Sequence, residues 1–92
     1  MAKSRAKVIV KGIVHGVNFR YHTQRQAVEY NVTGWVKNLP DGSVAAVFEG
    51  EEHDVAAIVQ WCRQGPSSAR VIELIEQPEE YRGEFSSFSV KY

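Results

Sequence analysis

The tripeptide Pro40-Asp41-Gly42 is a strong hairpin signal near the middle of the chain. It separates two short β-rich runs, residues 33–39 and 43–48, which we expect to pair as antiparallel strands. A segment of helical pattern lies on each side of this hairpin, and another β-rich run lies beyond each helix. The order of the turn signal, the β-rich runs and the helical segments therefore predicts the topology β-α-β-β-α-β.

The first half of the chain contains a strand, a tight loop and a helix. Residues 5–14 are rich in β-branched side chains and predict a strand, and residues 15–18 form the connection. Residues 19–30 contain no Gly or Pro, and Asn31 is a plausible helix stop. The helix has one stripe expected to be buried, at spacings of four, four and three residues: Phe19, Thr23, Ala27 and Tyr30.

The second helix has clear signals at both ends. Acidic residues at 51, 52 and 54 favour a helix N-terminus, and Gly65-Pro66 favours its end. Residues 71–75 predict a fourth strand, and residues 85–91 a fifth short strand or a sheet edge. The buried face of this helix is predicted from the i, i+3, i+4, i+7 spacing of Val55, Ile58, Val59 and Cys62.

These elements predict an α+β protein with a ferredoxin-like split β-α-β sandwich. Each β-α-β crossover is expected to be right-handed, which places two helices on one face of one antiparallel sheet. Ninety-two residues have room for one domain, so we expect a single domain over residues 1–92. This architecture carries many unrelated functions, so the fold alone does not indicate an activity.

The composition excludes several classes of protein. Eleven basic residues balance 11 acidic ones, which argues against broad capture of nucleic acid or an anionic membrane. The single cysteine, Cys62, cannot form an internal disulfide, and we expect a buried packing thiol. No apolar run is long enough for a signal peptide or a membrane span, so we predict a cytoplasmic protein.

The charges are unevenly distributed along the chain. Residues 1–28 contain six basic residues and no acid, whereas residues 49–84 contain nine acids and three basic residues. Such asymmetry has two explanations: the amino-terminal part faces an anion, or the two ends pair across the fold. On charge alone, pairing across the fold is the favoured interpretation.

The segment from Lys11 to Arg20 is the first candidate site. It is a strand, a loop marked by Gly16 and a helix start, where amide N–H groups without intrahelical partners can cradle an anion. Arg20 is a cation in the first helical turn, which is unfavourable by about 0.3–1 kcal/mol unless an anion binds beside it. The alternative is an exposed arginine in a surface ion pair, with Gly16 serving only the turn.

Asn38 is the second candidate. Strands disfavour Asn, and this one lies inside the predicted strand 33–39. Its carboxamide can donate and accept hydrogen bonds together, which suits holding a water molecule; the alternative is a polar residue leading into the hairpin. His15 and His22 could add charge near the loop, although we expect His22 on the side of the helix. We find no spacing typical of a metal site and no nucleophile motif.

Several segments together resemble the acylphosphatase family, whose fold is the sandwich predicted above. They are residues 14–20, 34–38, 41–44, 49–50, 61–62, 65–66 and 69–71. The family loop most often reads Val-Gln-Gly-Val-x-Phe-Arg, and here His15 takes the Gln position. The resemblance implies metal-independent hydrolysis of acyl phosphates to a carboxylate and inorganic phosphate.

The resemblance also implies residue roles. Arg20 and the backbone amides from His15 through Gly16, Val17, Asn18 and Phe19 to Arg20 would hold the phosphoryl group, and Asn38 would orient the attacking water. It implies no metal and no cofactor, and a small acyl phosphate as the partner. The small size of the chain and the lack of a surplus apolar stripe favour a monomer. The basic charge of residues 1–28 would then be explained by one bound phosphoryl anion.

Two other functions compete with this hypothesis. An RNA-binding module of the same architecture would need an aromatic-rich strand, which residues 43–48 do not supply. A non-catalytic anion-binding module would keep the loop but lose the amide that positions water, and Asn38 is present.

Overall fold

The computed structural model describes residues 2–92 and contains five strands and two helices. The predicted order β-α-β-β-α-β is confirmed, with a short fifth strand at the end. The elements are β1 (Lys3–Ile13), α1 (Phe19–Glu29), β2 (Thr33–Asn38), β3 (Val44–Glu51), α2 (Glu52–Gln64), β4 (Arg70–Glu79) and β5 (Phe88–Lys91).

The strands form one sheet in the order β4-β1-β3-β2-β5. Three neighbouring pairs are antiparallel, but β5 runs parallel to β2, with Phe88 opposite Gly34. The α+β ferredoxin-like class is confirmed, whereas the expectation of a wholly antiparallel sheet is wrong in this one pair. The reason is topological: the chain leaves β4 at one edge, crosses to the far edge and runs back, in the direction of β2.

Both helices pack on one face of the sheet. Alternate residues of β1 and β3 point toward them, among them Val8, Val10 and Phe48, none of which is accessible to solvent. The predicted buried face of α2 is confirmed in full. The buried stripe of α1 is confirmed at Phe19, Thr23 and Ala27, while Tyr30 follows the helix and is only partly buried.

Strands β3 and β4 extend several residues past the ends that the sequence pattern predicts. β3 extends past Phe48 to Glu51, and β4 extends past Ile75 to Glu79 and includes Pro78. Proline lacks an N–H donor and is confined to edge strands. Pro78 is tolerated because β4 lies at the edge of the sheet that residues 2–92 form, where it pairs with β1.

The opposite face of the sheet carries a buried carboxylate that fastens the connection between β4 and β5. Glu49 is 1% exposed and accepts hydrogen bonds from the amides of Arg82 (2.8 Å), Gly83 (3.2 Å) and Glu84 (3.1 Å). Gly83 adopts φ 62°, which turns successive amides toward one acceptor. The carboxylate therefore holds the segment that delivers β5 to its place beside β2.

Charges from the two ends of the chain pair across this face. Arg5 contacts Glu49 (3.3 Å), Glu79 (2.8 Å) and Glu84, and Lys3 contacts Glu51 at 3.1 Å. The interpretation that ends of opposite charge pair across the fold is confirmed for these two cations. A phosphoryl anion is therefore the wrong explanation for Lys3 and Arg5.

Within residues 2–92, no helix is long and apolar enough to cross a membrane. The same residues contain no group of three or more His, Cys, Asp or Glu side chains placed to hold a metal ion.

Candidate active site

The loop between β1 and α1 turns sharply at two residues. Gly16 adopts φ 72° and Asn18 adopts φ 61° and ψ 31°, both in the left-handed region. A Cβ on Gly16 would meet no atom within 4 Å, so this part of the loop faces open space. The first α-helical hydrogen bond runs from His22 N to Asn18 O (3.0 Å), and the amides just before His22 therefore have no intrahelical acceptor.

A cleft of about 430 Å³ lies at the start of α1. The loop and helix contribute Gly16, Asn18, Phe19 and Arg20 to its wall, and β2 contributes Asn38. The two side chains predicted from separate motifs therefore line the same cleft. Such a concave site with converging polar groups is the usual form of a small-molecule site.

Arg20 is fixed by the end of the chain rather than by a carboxylate. Its Nη1 donates to the carbonyl oxygen of Lys91 (3.0 Å), and its guanidinium lies 4.7 Å from the centroid of the Tyr92 ring. In the part of the chain that the structure describes, no acidic side chain lies within ion-pair distance of Arg20. The alternative of a surface ion pair is therefore wrong, because none of the described carboxylates neutralises this guanidinium.

Asn38 is the last residue of β2, opposite Val44 of β3, and is half-buried. We expected it inside a strand reaching residue 39, and it lies instead where the strand gives way to the hairpin. From this position Asn38 leads into the hairpin and also lines the cleft. That its carboxamide holds a water molecule stays a prediction.

His15 does not line the cleft with its side chain. Its Nε2 lies 2.7 Å from the carbonyl oxygen of Ser43 in the β2–β3 hairpin. A carbonyl oxygen only accepts, so Nε2 carries the proton and donates. His22 lies on the side of α1 with its ring edge-on to Tyr21, as expected, and does not line the cleft.

The remaining loop residues support the backbone. Val17 packs against the core, and its carbonyl oxygen accepts a hydrogen bond from Ser68 Oγ (2.9 Å). Phe19 is 2% exposed, and its ring centroid lies 5.8 Å from that of Trp61. Any role of Val17 or Phe19 at the cleft therefore belongs to their amides and not to their side chains.

The sequence analysis missed one wall of the cleft. This wall is formed by Tyr21, Gln24, Val90 and Tyr92. Tyr21 and Gln24 follow Arg20 at helical spacing, which is a usable signal once the helix is assigned. Val90 and Tyr92 reach the cleft because β5 pairs with β2. The local sequence pattern does not predict that pairing.

Comparison with known proteins assigns the family. The sequence model described as Acylphosphatase matches residues 6–90. A curated acylphosphatase from Geotalea uraniireducens (strain Rf4) is 60% identical over 98% of this chain and 99% of its own length. The chain belongs to the acylphosphatase family.

Solved structures of acylphosphatases agree with this assignment. An acylphosphatase from Coxiella burnetii superposes with a TM-score of 0.91 at 34% identity, covering 97% of this chain and 93% of that one. One from Bacillus subtilis gives 0.92 at 31% identity, covering 97% and 99%. The predictions of the family, of an enzyme and of acyl phosphate hydrolysis are confirmed. The roles of individual residues in this acylphosphatase-family chain stay predictions.

Proposed function

We propose that the cleft at the start of α1 binds the phosphoryl group of a small acyl phosphate and that the enzyme hydrolyses its carboxyl–phosphate bond there. Arg20 and the loop amides from His15 to Arg20 hold the phosphoryl oxygens, and Asn38 orients the attacking water. The products are a carboxylate and inorganic phosphate. The chain acts as a single-domain monomer of the cytoplasm, without a metal, a cofactor, a nucleic acid or a membrane.

The observation that carries this proposal is that Arg20 and Asn38 line one cleft although 17 residues separate them in the sequence. The cleft brings the Arg20 guanidinium and the neutral Asn38 carboxamide to the N-terminus of α1, where the first N–H groups have no intrahelical acceptor. A dianionic phosphoryl group satisfies the N–H groups and reverses the unfavourable interaction of Arg20 with the helix dipole. The guanidinium fork can contact two phosphoryl oxygens at once.

Hydrolysis needs few protein groups besides Arg20, the loop amides and Asn38. The water oxygen attacks phosphorus, the bond from phosphorus to the acyl oxygen breaks, and its electron pair leaves with the carboxylate. A phosphoryl oxygen of the substrate takes the proton from the water. Because the transferred group has a loose transition state and a carboxylate leaves readily, positioning and charge neutralisation suffice.

The test is hydrolysis of benzoyl phosphate in the presence of a chelator, with inorganic phosphate as a competitive inhibitor. We expect Arg20→Ala to lose most of the affinity for phosphate. We expect Asn38→Ala to keep that affinity and to lose about 10²–10³-fold in kcat, the usual loss for one positioned polar group. Arg63→Ala is the control, because Arg63 lies on α2, pairs with Glu76 and, among the described residues, neither lines the cleft nor pairs with a residue that lines it. An Asn38→Ala enzyme with the parental kcat would show that Asn38 does not orient the water.

Phosphate binding has a second readout in thermal unfolding. A ligand at about 100 times its Kd stabilises the folded state by about 2.7 kcal/mol. We expect saturating phosphate to raise the Tm of the parent and of Asn38→Ala but not that of Arg20→Ala. An unchanged Tm of the parent at saturating phosphate contradicts the phosphate site itself.

A further inference from the structure

The side chain of His15 leaves the phosphate loop and ends in the hairpin that follows Asn38. Its Nε2 donates to the carbonyl oxygen of Ser43 over 2.7 Å, and Ser43 is 3% exposed. The same carbonyl oxygen accepts the amide of Leu39 (2.9 Å), the residue next to Asn38. One buried acceptor thus joins the loop to the end of β2.

Each of the two units that this bond joins is held together without it. The loop is fixed by its left-handed residues, by Ser68 donating to Val17 O, and by Phe19 in the core. The hairpin is closed by Gly42 N donating to Leu39 O and by the Asp41 carboxylate, which accepts the Ser43 amide at 3.0 Å. Removing the His15 donor should therefore leave both units folded and change only their relative position.

We propose that His15 is a positioning residue that sets the distance between the phosphate-binding amides and the Asn38 carboxamide. The inference rests on the proposed function, because it assigns His15 to the alignment of the water with the phosphoryl group. The side chain of His15 acts through the hairpin and does not touch the substrate, whereas its backbone amide stays part of the phosphate-binding loop. A misplacement of about 1 Å between reacting groups lowers a rate by up to about 10²-fold.

The inference predicts an effect on turnover and not on phosphate affinity. We expect His15→Ala to lower kcat by about 10–100-fold. The inhibition constant of phosphate stays close to the parental value, because the amides and Arg20 remain in place. His15→Gln should recover most of the kcat, because its amide N–H₂ can donate to the same carbonyl oxygen. His15→Leu, which fills space without a donor, should behave like His15→Ala.

A double-mutant cycle distinguishes positioning from a general effect on the loop. If His15 acts through Asn38, then His15→Ala lowers kcat by less than about 2-fold in an Asn38→Ala background. Ser68→Ala is the matched control, because it removes the other hydrogen bond to the loop but has no link to the hairpin. Its effect on kcat should add fully to that of Asn38→Ala.

A measurement that does not depend on turnover distinguishes a failure of this inference from a failure of the proposed function. The side-chain amide resonances of Asn38 should differ between the parent and His15→Leu, both with phosphate bound, and should return to the parental position in His15→Gln. If Asn38→Ala hydrolyses benzoyl phosphate at the parental rate, the proposed function fails while these spectra still decide the link. Full additivity of His15→Ala with Asn38→Ala, failure of His15→Gln to recover turnover, or unchanged Asn38 resonances in His15→Leu would overturn the inference.

Discussion

Replacing Glu49 by glutamine tests how the fold holds the segment that places β5 beside the candidate active site. The carboxylate is almost fully buried and accepts three amides of the β4–β5 connection together with Arg5 Nη1. That connection leads into β5, whose last residue accepts the hydrogen bond from Arg20. The predicted result of Glu49→Gln is a large loss of stability with the overall fold retained at low temperature.

The magnitude follows from the number of donors. Glutamine has one acceptor oxygen, so if that oxygen keeps Arg82 and Gly83, the new N–H₂ faces the amide of Glu84. A buried donor without an acceptor costs about 1–3 kcal/mol. The remaining hydrogen bonds also become weaker, because their acceptor is a neutral amide oxygen and no longer a carboxylate. The total is about 3–5 kcal/mol, the usual range for breaking a buried pair. At about 4–8 °C for each kcal/mol, Tm should fall by about 12–40 °C.

The assay is urea and thermal unfolding of parent and variant across pH. Burial alone would raise the pKa of Glu49, but the hydrogen bonds from the Arg82 amide, Arg5 and the amides of Glu84 and Gly83 outweigh it and lower the pKa below 4.5. A carboxylate whose pKa is lower in the folded state stabilises the protein fully above the unfolded pKa. This stabilisation is lost as the pH falls through the folded pKa. The free energy difference between parent and Glu49→Gln should therefore be constant near neutral pH and should narrow below about pH 4.5.

The matched control is Glu79→Gln, which contacts the same Arg5 at 2.8 Å through a carboxylate that is 37% exposed. Exposed ion pairs contribute about 0–1 kcal/mol, so this variant should unfold close to the parent. The reasoning is refuted if Glu49→Gln unfolds within about 0.5 kcal/mol of the parent, a change typical of a neutral surface substitution. It is also refuted if the two glutamine variants lose the same stability.

Three shorter predictions concern other positions. Cys62 is fully buried, and burial raises the pKa of its thiol, so a thiol reagent at pH 8 should modify no cysteine in the folded protein and one in urea. Gly34→Ala should give no folded protein by circular dichroism, because its Cβ would lie 1.8 Å from a β3 carbonyl oxygen; Gly50→Ala, with its nearest contact at 3.4 Å, should fold. Tyr92→Ala should weaken phosphate inhibition a few-fold and Tyr92→Phe should not, because a ring face beside the Arg20 guanidinium is worth about 0.5–1 kcal/mol.

The parts of the fold that follow from local sequence signals were predictable. The Pro40-Asp41-Gly42 turn and the i, i+3, i+4, i+7 face of α2 depend on neighbours within a few residues, and both predictions are confirmed. The extension of β4 and the parallel pairing of β5 depend on contacts between distant segments. A residue pattern of period two marks a strand but does not name its partner.

The candidate site likewise contains residues that local sequence signals reveal and residues that they do not. Arg20 and Asn38 were found because each is unfavourable for its local structure: a cation in a first helical turn and an amide at a strand position. The groups that contact Arg20 and His15 cannot be predicted from the local sequence around those residues. Lys91 O and Tyr92 come from the chain end, and the acceptor of His15 comes from the hairpin. A residue that violates a local preference is visible in a sequence, whereas a residue that fits its local structure gives no sign of its second role.

The arginines show why the distribution of charge along the chain could not identify the site. Arg5 and Arg20 both belong to the acid-free first 28 residues, yet Arg5 lies among three carboxylates and Arg20 lies against a carbonyl oxygen and a ring. Carboxylates hold a guanidinium and neutralise it, whereas a carbonyl oxygen and an aromatic face hold it and leave its net charge intact. A cation that must be both rigid and available to an anionic ligand therefore needs neutral partners. For this chain, the chemical type of the partner separates the structural arginine from the one that faces the cleft, and only the folded structure shows those partners.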